Sequence, residues 1–394
     1  MEWRDVDLFA PTDEHRLLAE TVRQFVADEV EPQAAAFNKE ERFNLPLFRR
    51  CGELGLLGLT VDEEFGGAGL DATAAVIVHE ALSTADPAFA LSYLAHSVLF
   101  VNNLHHNASD AQRRRFLPGA ISGERIGGMC MTEPEAGTDV LGMRTTARRD
   151  GDSYVINGRK TFITNGAVDD RTLGDIFLVY ARTGERAIST LVIERETPGF
   201  GLGQCWKEKL GMRASMTAEL VFDTCRVPAD QLLGSEGESV LHMMRNLELE
   251  RLTLAAMSLG IAQRCVRVMV DYAGQRKAFG VPIREFGQIQ RHIAESYSEY
   301  KAARCYVYET ARRLDLKRHG NRVDADGVKL FAARIAKEIA DRAIQVLGGY
   351  GYMGEYVVER LWRDAKLLEI GGGTLEAHQK NITKDLAKAP DLIG

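Results

Sequence analysis

The chain is 394 residues long, 45% hydrophobic and 27% charged, with a formal net charge of −7. That length supports a large core divided among more than one domain. The acidic balance argues against a nucleic-acid binder, which needs a basic surface, but leaves room for a small anionic ligand held by local cations or helix N-termini.

Residues 1–7 are acidic and contain no apolar h-region, so no secretory signal is expected. Residues 11–125 read as helical. Thr12 is placed to cap a helix whose first turn carries Asp13 and Glu14, followed by apolar Leu18, Val22, Phe25 and Val26. A second helix is expected over 46–57, and the glycine-rich run Phe65-Gly66-Gly67-Ala68-Gly69-Leu70 precedes an apolar helix over 72–82. The most apolar segment, 88–101, is too short to cross a bilayer and is interrupted by His96 and Ser97, so no membrane insertion is expected. Arg113-Arg114-Arg115 suggests an anion site at first sight, but reads better as a solvated helix face ahead of Pro118.

From about 126 the texture changes. Asp150-Gly151, Asn157-Gly158 and Asn165-Gly166 are turn dipeptides separated by β-branched and aromatic runs, with 154–156 and 161–164 fitting adjacent strands. Further strands are expected at 176–181, 190–193 and 220–222, in an antiparallel domain whose strands end near Pro228. After 236 long helical patterns return over 239–274, 286–316 and 325–347, with a last helix from Leu375. The expected fold class is therefore α+β and multidomain: an N-terminal helical domain (1–125), a middle antiparallel β domain (126–235) and a C-terminal helical bundle (236–394). The six cysteines (51, 130, 205, 225, 265 and 305) form no CxxC pair and read as reduced thiols of a cytoplasmic protein; no metal site is expected.

The central feature is the helix containing Arg245 through Met257. Leu247, Leu254, Met257 and Ile261 fall three or four apart on one stripe, and Glu250 sits on that stripe. A carboxylate there is costly unless paired or protonated, and its pKa should rise. A buried Glu–Arg pair is the plain alternative. Periodicity does not choose between Glu248 and Glu250, because this helix is apolar on most of its circumference. Gly349-Tyr350-Gly351-Tyr352-Met353-Gly354 matches GxGxxG, but it follows a helical pattern rather than a strand, so Gly348 and Gly349 read as a helix end and not as a dinucleotide fold. Two loops suit ligands: 131–140, rich in hydroxyls and small residues, and Gly371-Gly372-Gly373-Thr374, three glycines before the last helix.

In order and spacing, 65–71, 131–140, Gly158-Arg159-Lys160-Thr161-Phe162-Ile163-Thr164-Asn165-Gly166, Gln275-Arg276-Lys277-Ala278-Phe279-Gly280, 345–352 and 363–374 together resemble the acyl-CoA dehydrogenase family. The resemblance spans nearly all of 12–386. It implies three domains, the last a four-helix bundle, usually assembled as a homotetramer with bound FAD and an electron-transfer flavoprotein as acceptor. Met131, Thr132, Gly137, Thr138, Phe162, Thr164 and Thr374 would contact the cofactor, with Phe162 standing where many members carry tryptophan. Arg276, Phe279, Gln345 and Gly349 would hold the pyrophosphate and adenosine of FAD from a neighbouring subunit.

The implied reaction is α,β-dehydrogenation of an acyl-CoA, a base taking the α-proton while hydride leaves the β-carbon for flavin N5. Many members carry that base in Tyr-Glu-Gly-Thr, where this chain has Gly371-Gly372-Gly373-Thr374. The isovaleryl-CoA and long-chain branches take it instead from Glu-Arg-Leu on a helix, matched here by Glu250-Arg251-Leu252. Glu369-Ile370-Gly371, Leu91-Ser92-Tyr93 and Ala95-His96-Ser97 resemble the isovaleryl-CoA dehydrogenase branch. Glu250 is then the expected base, the Gly372 N–H an expected oxyanion donor, and Leu91, Thr138, Arg251, Leu254 and Gly371 the expected substrate contacts. A medium- or long-chain dehydrogenase, a flavin monooxygenase on the same fold and a silent FAD- or CoA-binding protein are the competing readings.

Overall fold

The computed structural model describes residues 7–318 and 320–393; residues 1–6, on which the reading of the N-terminus mostly rests, lie outside them. Helix α1 (Asp13–Phe25) starts where Thr12 accepts from the His15 N–H, and it runs through one π-helical stretch into α2 (Glu31–Glu40). Helix α3 (Leu45–Glu53) is shorter than the span expected from sequence. Gly55, at φ 72°, turns the chain and leaves only a 3-10 turn over Leu56–Gly58. Aspartate caps open the next two helices, α4 (Ala72–Ser83) and α5 (Pro87–Leu94). A second π segment joins α5 to α6 (Asn103–Asn107), and α7 (Asp110–Ile121) begins at a Ser109/Gln112 capping box. Arg113 and Arg115 are engaged by Asp110 and Glu194, as a solvated helix face predicts.

The middle domain holds β1 (Gly127–Cys130), β2 (Thr146–Asp150), β3 (Ser153–Thr164), β4 (Ile176–Arg182), β5 (Ile188–Glu194), β6 (Phe200–Cys205), β7 (Thr217–Pro228) and β8 (Leu232–Leu233). They form one sheet in the order β6-β7-β3-β2-β4-β5-β8, with β1 also beside β4. The sheet is not purely antiparallel: β1 and β2 both pair parallel to β4. Nor does Asn157-Gly158 make a hairpin. The chain passes straight through it inside β3, where a bulge shifts the register against β7 and Gly158 takes φ 148°. A Cβ at Gly158 would lie 2.5 Å from Thr145 Oγ1, so the glycine serves close approach and not reversal.

The C-terminal domain begins with α8 (Ser239–Gln275), 37 residues long. A short hairpin of β9 (Lys277–Ala278) and β10 (Val281–Pro282) leads to α9 (Gly287–Arg313) and α10 (Arg322–Leu347). Then come α11 (Val357–Leu368), which the sequence reading passed over, and α12 (Leu375–Lys388). Helix α8 is long and apolar enough to cross a bilayer, but it packs against α4, α9 and α10 and most of it is buried. Gly260 marks the contact with α4: a Cβ there would lie 2.3 Å from the Glu80 carbonyl. Glu80 in turn receives Arg304, Tyr300 and Tyr308 from α9, tying the first domain to the third.

Candidate active site

Glu250 lies on the buried side of α8 with 7% of its surface exposed, and its Oε2 has no hydrogen-bond partner among the described residues. Burial raises its pKa to about 7, against the opposing pull of the Arg251 and Lys329 cations. Among the described residues it is not half of a Glu–Arg pair. The neighbouring Arg251 turns instead to Asp326 on α10, 3.2 Å away. Glu248 is equally buried, but it accepts from the N–H groups of Gly320 and Asn321 at the start of α10. The structure therefore separates the two carboxylates that periodicity left equivalent.

The loop between α11 and α12 comes to Glu250 from the other side. Gly372 has φ 67°, and a Cβ built on it would stand 3.5 Å from Glu250 Oε1. The carboxylate thus reaches, from the helix, the space a loop side chain would enter. The same Cβ would meet Leu254 Cδ1 at 2.2 Å, so Leu254 already occupies the room of that absent side chain. At Gly371 a Cβ would find only ordinary contacts with Leu367, at 3.5 Å and beyond, so packing does not require glycine there. The Gly372 N–H donates to no acceptor among the described residues. Thr374 caps α12, its hydroxyl accepting from the Ala377 N–H.

The predicted cofactor residues fall into two groups. The first is built on β3. The Thr161 N–H donates to the Thr132 carbonyl at 2.9 Å, and the buried Lys160 ammonium donates to the Met131 carbonyl at 2.9 Å and to Glu133 at 2.8 Å. These bonds hold Met131 and Thr132 beside Phe162 and Thr164, while Gly137 and Thr138 lie in the exposed loop that follows. Phe162 is 61% exposed at φ 57° and packs against Trp206, ring centroids 5.5 Å apart and the planes tilted by 35°. Asn165 then donates to the Ser92 carbonyl at 2.9 Å, which brings this strand end to Leu91 on α5. An exposed aromatic face in a strained backbone, next to free hydroxyls, fits a flat polar ring system.

The second group lies at the other end of α8. Arg276 and Gly349 line a cavity of about 550 Å³ with Tyr272, Leu347, Gly348 and Tyr350. Gln345 is exposed at the end of α10, and Phe279, 97% exposed at φ 50°, projects from the β9–β10 turn. A guanidinium beside glycine backbone suits a phosphate. Arg276 is 26 positions beyond Glu250 along a continuous helix, roughly 40 Å at 1.5 Å per residue.

Sequence reasoning missed three buried polar residues behind this site. Lys329 lies on the buried stripe of α10 with Ala325, Ala332 and Ala336, the same anomaly that marked Glu250. Asp326, one turn away, and His378 on α12 complete a buried network behind the glycine loop.

Comparison with known proteins agrees with this geometry. The models of the acyl-CoA dehydrogenase N-terminal, middle and C-terminal domains match residues 12–124, 128–225 and 240–387. The mitochondrial isovaleryl-CoA dehydrogenase of Oryza sativa subsp. japonica is 43% identical over 387 residues, covering 97% of this chain and 92% of its own. A glutaryl-CoA dehydrogenase from Mycobacterium smegmatis in complex with FADH2 superposes with a TM-score of 0.90 at 30% identity, over 98% of this chain and 97% of that one. A chain from a structure described as the electron transferring flavoprotein of Acidaminococcus fermentans gives a TM-score of 0.91 at 32% identity, over 95% and 98%.

Proposed function

The chain belongs to the acyl-CoA dehydrogenase family, and from that premise we propose that it dehydrogenates a short, branched acyl-CoA such as isovaleryl-CoA, with Glu250 as the base. The observation that carries this reading is the Glu250 carboxylate, buried, unpartnered and 3.5 Å from the Cβ position of Gly372. The α-proton of a thioester is weakly acidic, so the base needs a pKa near the working pH and the thioester oxygen needs a fixed donor. Burial supplies the first. The unengaged N–H of Gly372 supplies the second without a side chain.

The enzyme is an oxidoreductase acting on CH–CH bonds, with FAD as its cofactor. When bound, FAD supplies the acceptor for the hydride that leaves the β-carbon. Thr132, Phe162 and Thr164 would hold its ring system, with Met131, Gly137, Thr138 and Thr374 alongside. Arg276, at the end of α8 roughly 40 Å from Glu250, and Gly349 beside it would serve a cofactor other than the one next to Glu250, together with Phe279 and Gln345. That separation supports an oligomer in which each of these sets completes a neighbour's site, for which the homotetramer implied by the family resemblance is the assembly proposed. Gly371, whose missing Cβ would meet only Leu367 at 3.5 Å and beyond, would leave the β-carbon room for a methyl branch, and Leu254, which fills the place of a side chain at 372, would floor a short pocket. An electron-transfer flavoprotein is the acceptor this reading expects, supported by the Acidaminococcus fermentans structure. A cytoplasmic location is supported by six cysteines that are all unpaired.

Anaerobic mixing with isovaleryl-, butyryl- and octanoyl-CoA, followed by flavin absorbance, tests the whole reading. Rapid bleaching with isovaleryl-CoA is the expected result. A clear preference for octanoyl-CoA would overturn the short-pocket assignment, and no bleaching with any thioester would overturn the activity.

A further inference from the structure

Behind the glycine loop lies a buried cation that the chemistry above does not use. Lys329 has no exposed surface, and its Nζ donates to the Gly373 carbonyl at 2.6 Å. That carbonyl is one residue beyond Gly372, in a loop where Gly372 and Gly373 take φ 67° and 100°. Two consecutive glycines in the left-handed region have many alternatives open to them, so the loop needs an external hold to keep one conformation. The His378 ring is packed against the same place: a Cβ on Gly373 would lie 3.0 Å from its Cε1. Its Nε2 is 3.1 Å from the Gly373 carbonyl and its Nδ1 faces Asp326. Both ring nitrogens thus face acceptors, and only the protonated ring donates to both. Burial lowers the His378 pKa and works against that form, which leaves the Lys329 amino group, a donor in either charge state, as the hold on the carbonyl.

We propose that Lys329 is a positioning residue for the dehydrogenation, pinning the Gly373 carbonyl so that the Gly372 N–H stays aimed at the thioester oxygen while its ammonium faces the Glu250 carboxylate from α10. This rests on the reading of Glu250 as base. The two tasks are linked by geometry: Lys329 holds the Gly373 carbonyl at 2.6 Å, and the preceding residue, Gly372, has its Cβ position 3.5 Å from Glu250 Oε1, so the ammonium and the base meet at the same loop. It makes no ion pair with Glu250 within 4.0 Å among the described residues. The attraction therefore acts through space and leaves the carboxylate free to take a proton.

The electrostatic surroundings are crowded, and each element contributes. Arg251 faces this region from α8, Asp326 and Arg322 from α10, Lys366 from α11 and Glu369 just after it, His378 and Asp385 from α12, and Tyr180 from β4. Most of these charges are matched locally. Arg251 and His378 share Asp326, Arg322 meets Asp385, and Lys366 meets Glu369. Lys329 is the cation whose hydrogen bond goes to a neutral carbonyl, so its charge is left to act on Glu250. Burial lowers its own pKa to about 8, with Glu250 the largest influence holding it up.

Two substitutions at Lys329 and one at His378 separate the loop from the charge. Lys329→Gln keeps a donor for the Gly373 carbonyl and loses the charge; Lys329→Met loses both. The readouts are FAD content, the rate of anaerobic flavin bleaching by isovaleryl-CoA, and the acidic limb of the kcat/KM profile. Both lysine variants are expected to retain FAD and to move that limb up by roughly one pH unit, since an opposite charge near a carboxylate favours its ionised form. Lys329→Met should also slow bleaching at high pH by roughly tenfold or more relative to Lys329→Gln, through loss of the aimed donor. His378→Gln, which leaves the ammonium in place, should not move the limb. A limb unmoved in folded, FAD-loaded Lys329→Met and Lys329→Gln overturns the proposal, as does a limb moved up by a full unit in His378→Gln. Absence of bleaching in the unaltered enzyme would instead overturn the reading on which it rests.

Discussion

Two buried lysines face two buried glutamates in this molecule, and the pairs behave oppositely. Lys160 donates to Glu133 at 2.8 Å, and the Glu133 oxygens accept further N–H bonds from Arg144 and Thr145. Burial alone would raise the Glu133 pKa, but Lys160 and those donors outweigh it, and the carboxylate titrates below its usual range. Lys329 gives its hydrogen bond to a carbonyl, while Glu250 keeps an oxygen with no partner and is raised to about 7. The residue types and the burial are the same; the hydrogen bonds are not. A satisfied buried carboxylate is held ionised and builds structure, whereas an unsatisfied one is poised to exchange a proton.

The sharpest break of this contrast is at the carboxylates themselves. Glu250→Gln should slow flavin bleaching by roughly 10³-fold or more, the range for loss of a general base, with FAD still bound. Stopped-flow absorbance under nitrogen measures it, and near-normal bleaching would sink the assignment. Glu133→Gln should act on folding instead. It leaves the Lys160 ammonium, fully buried, without its counter-charge, at a cost of about 3–5 kcal/mol in urea unfolding and with weakened FAD binding. Lys160→Met added to Glu133→Gln should recover part of that loss, because it removes the unpaired ammonium while the glutamine Oε1 still accepts from an Arg144 or Thr145 N–H.

How much of this contrast could be read from sequence depends on whether the signal was local. Glu250 was visible because a carboxylate on an apolar stripe breaks a 3.6-residue pattern, and Lys329 breaks the pattern of α10 in the same way. What the pattern lacks is the partner. Glu248 is as buried as Glu250, and N–H groups of Gly320 and Asn321, more than seventy positions away, give it a structural task. The β domain shows the same limit. Asn157-Gly158 carries the residues of a tight turn, yet Thr145 lies so close that glycine is needed for a bulge inside β3. Likewise α11 went unseen because its last residues were read as part of the glycine loop. The three-domain order, by contrast, follows from long-range texture and was legible throughout.

Titration sharpens the contrast further. Because Glu250 must be ionised to take the α-proton, kcat/KM should fall about tenfold per pH unit below a midpoint near 7. The stability effect has the opposite sign. A carboxyl whose folded pKa is raised costs nothing below its ordinary pKa of 4.5, and the penalty grows as pH rises to about 7. Glu250→Gln should therefore stabilise the protein, by nothing at pH 4 and by up to about 3 kcal/mol above pH 7. Glu133→Gln should instead destabilise most at neutral pH, where the pair is fully charged. Equal pH dependence in the two variants would erase the distinction.

The smallest expected effect concerns moving the base from helix to loop. In a Glu250→Gln background, Gly372→Glu alone should restore no bleaching. Its φ of 67° disfavours any side chain, and the new Cβ would meet Leu254 Cδ1 at 2.2 Å. Leu254→Ala removes that obstacle, and the incoming glutamate fills part of the cavity that would otherwise cost a few kcal/mol. The triple variant should bleach roughly tenfold faster than Glu250→Gln, short of full activity because a carboxylate misplaced by an ångström loses much of its effect. Recovery without Leu254→Ala would mean that the loop yields more readily than its packing allows. Recovery only with it would show that Leu254, and not the loop backbone, keeps the base on the helix.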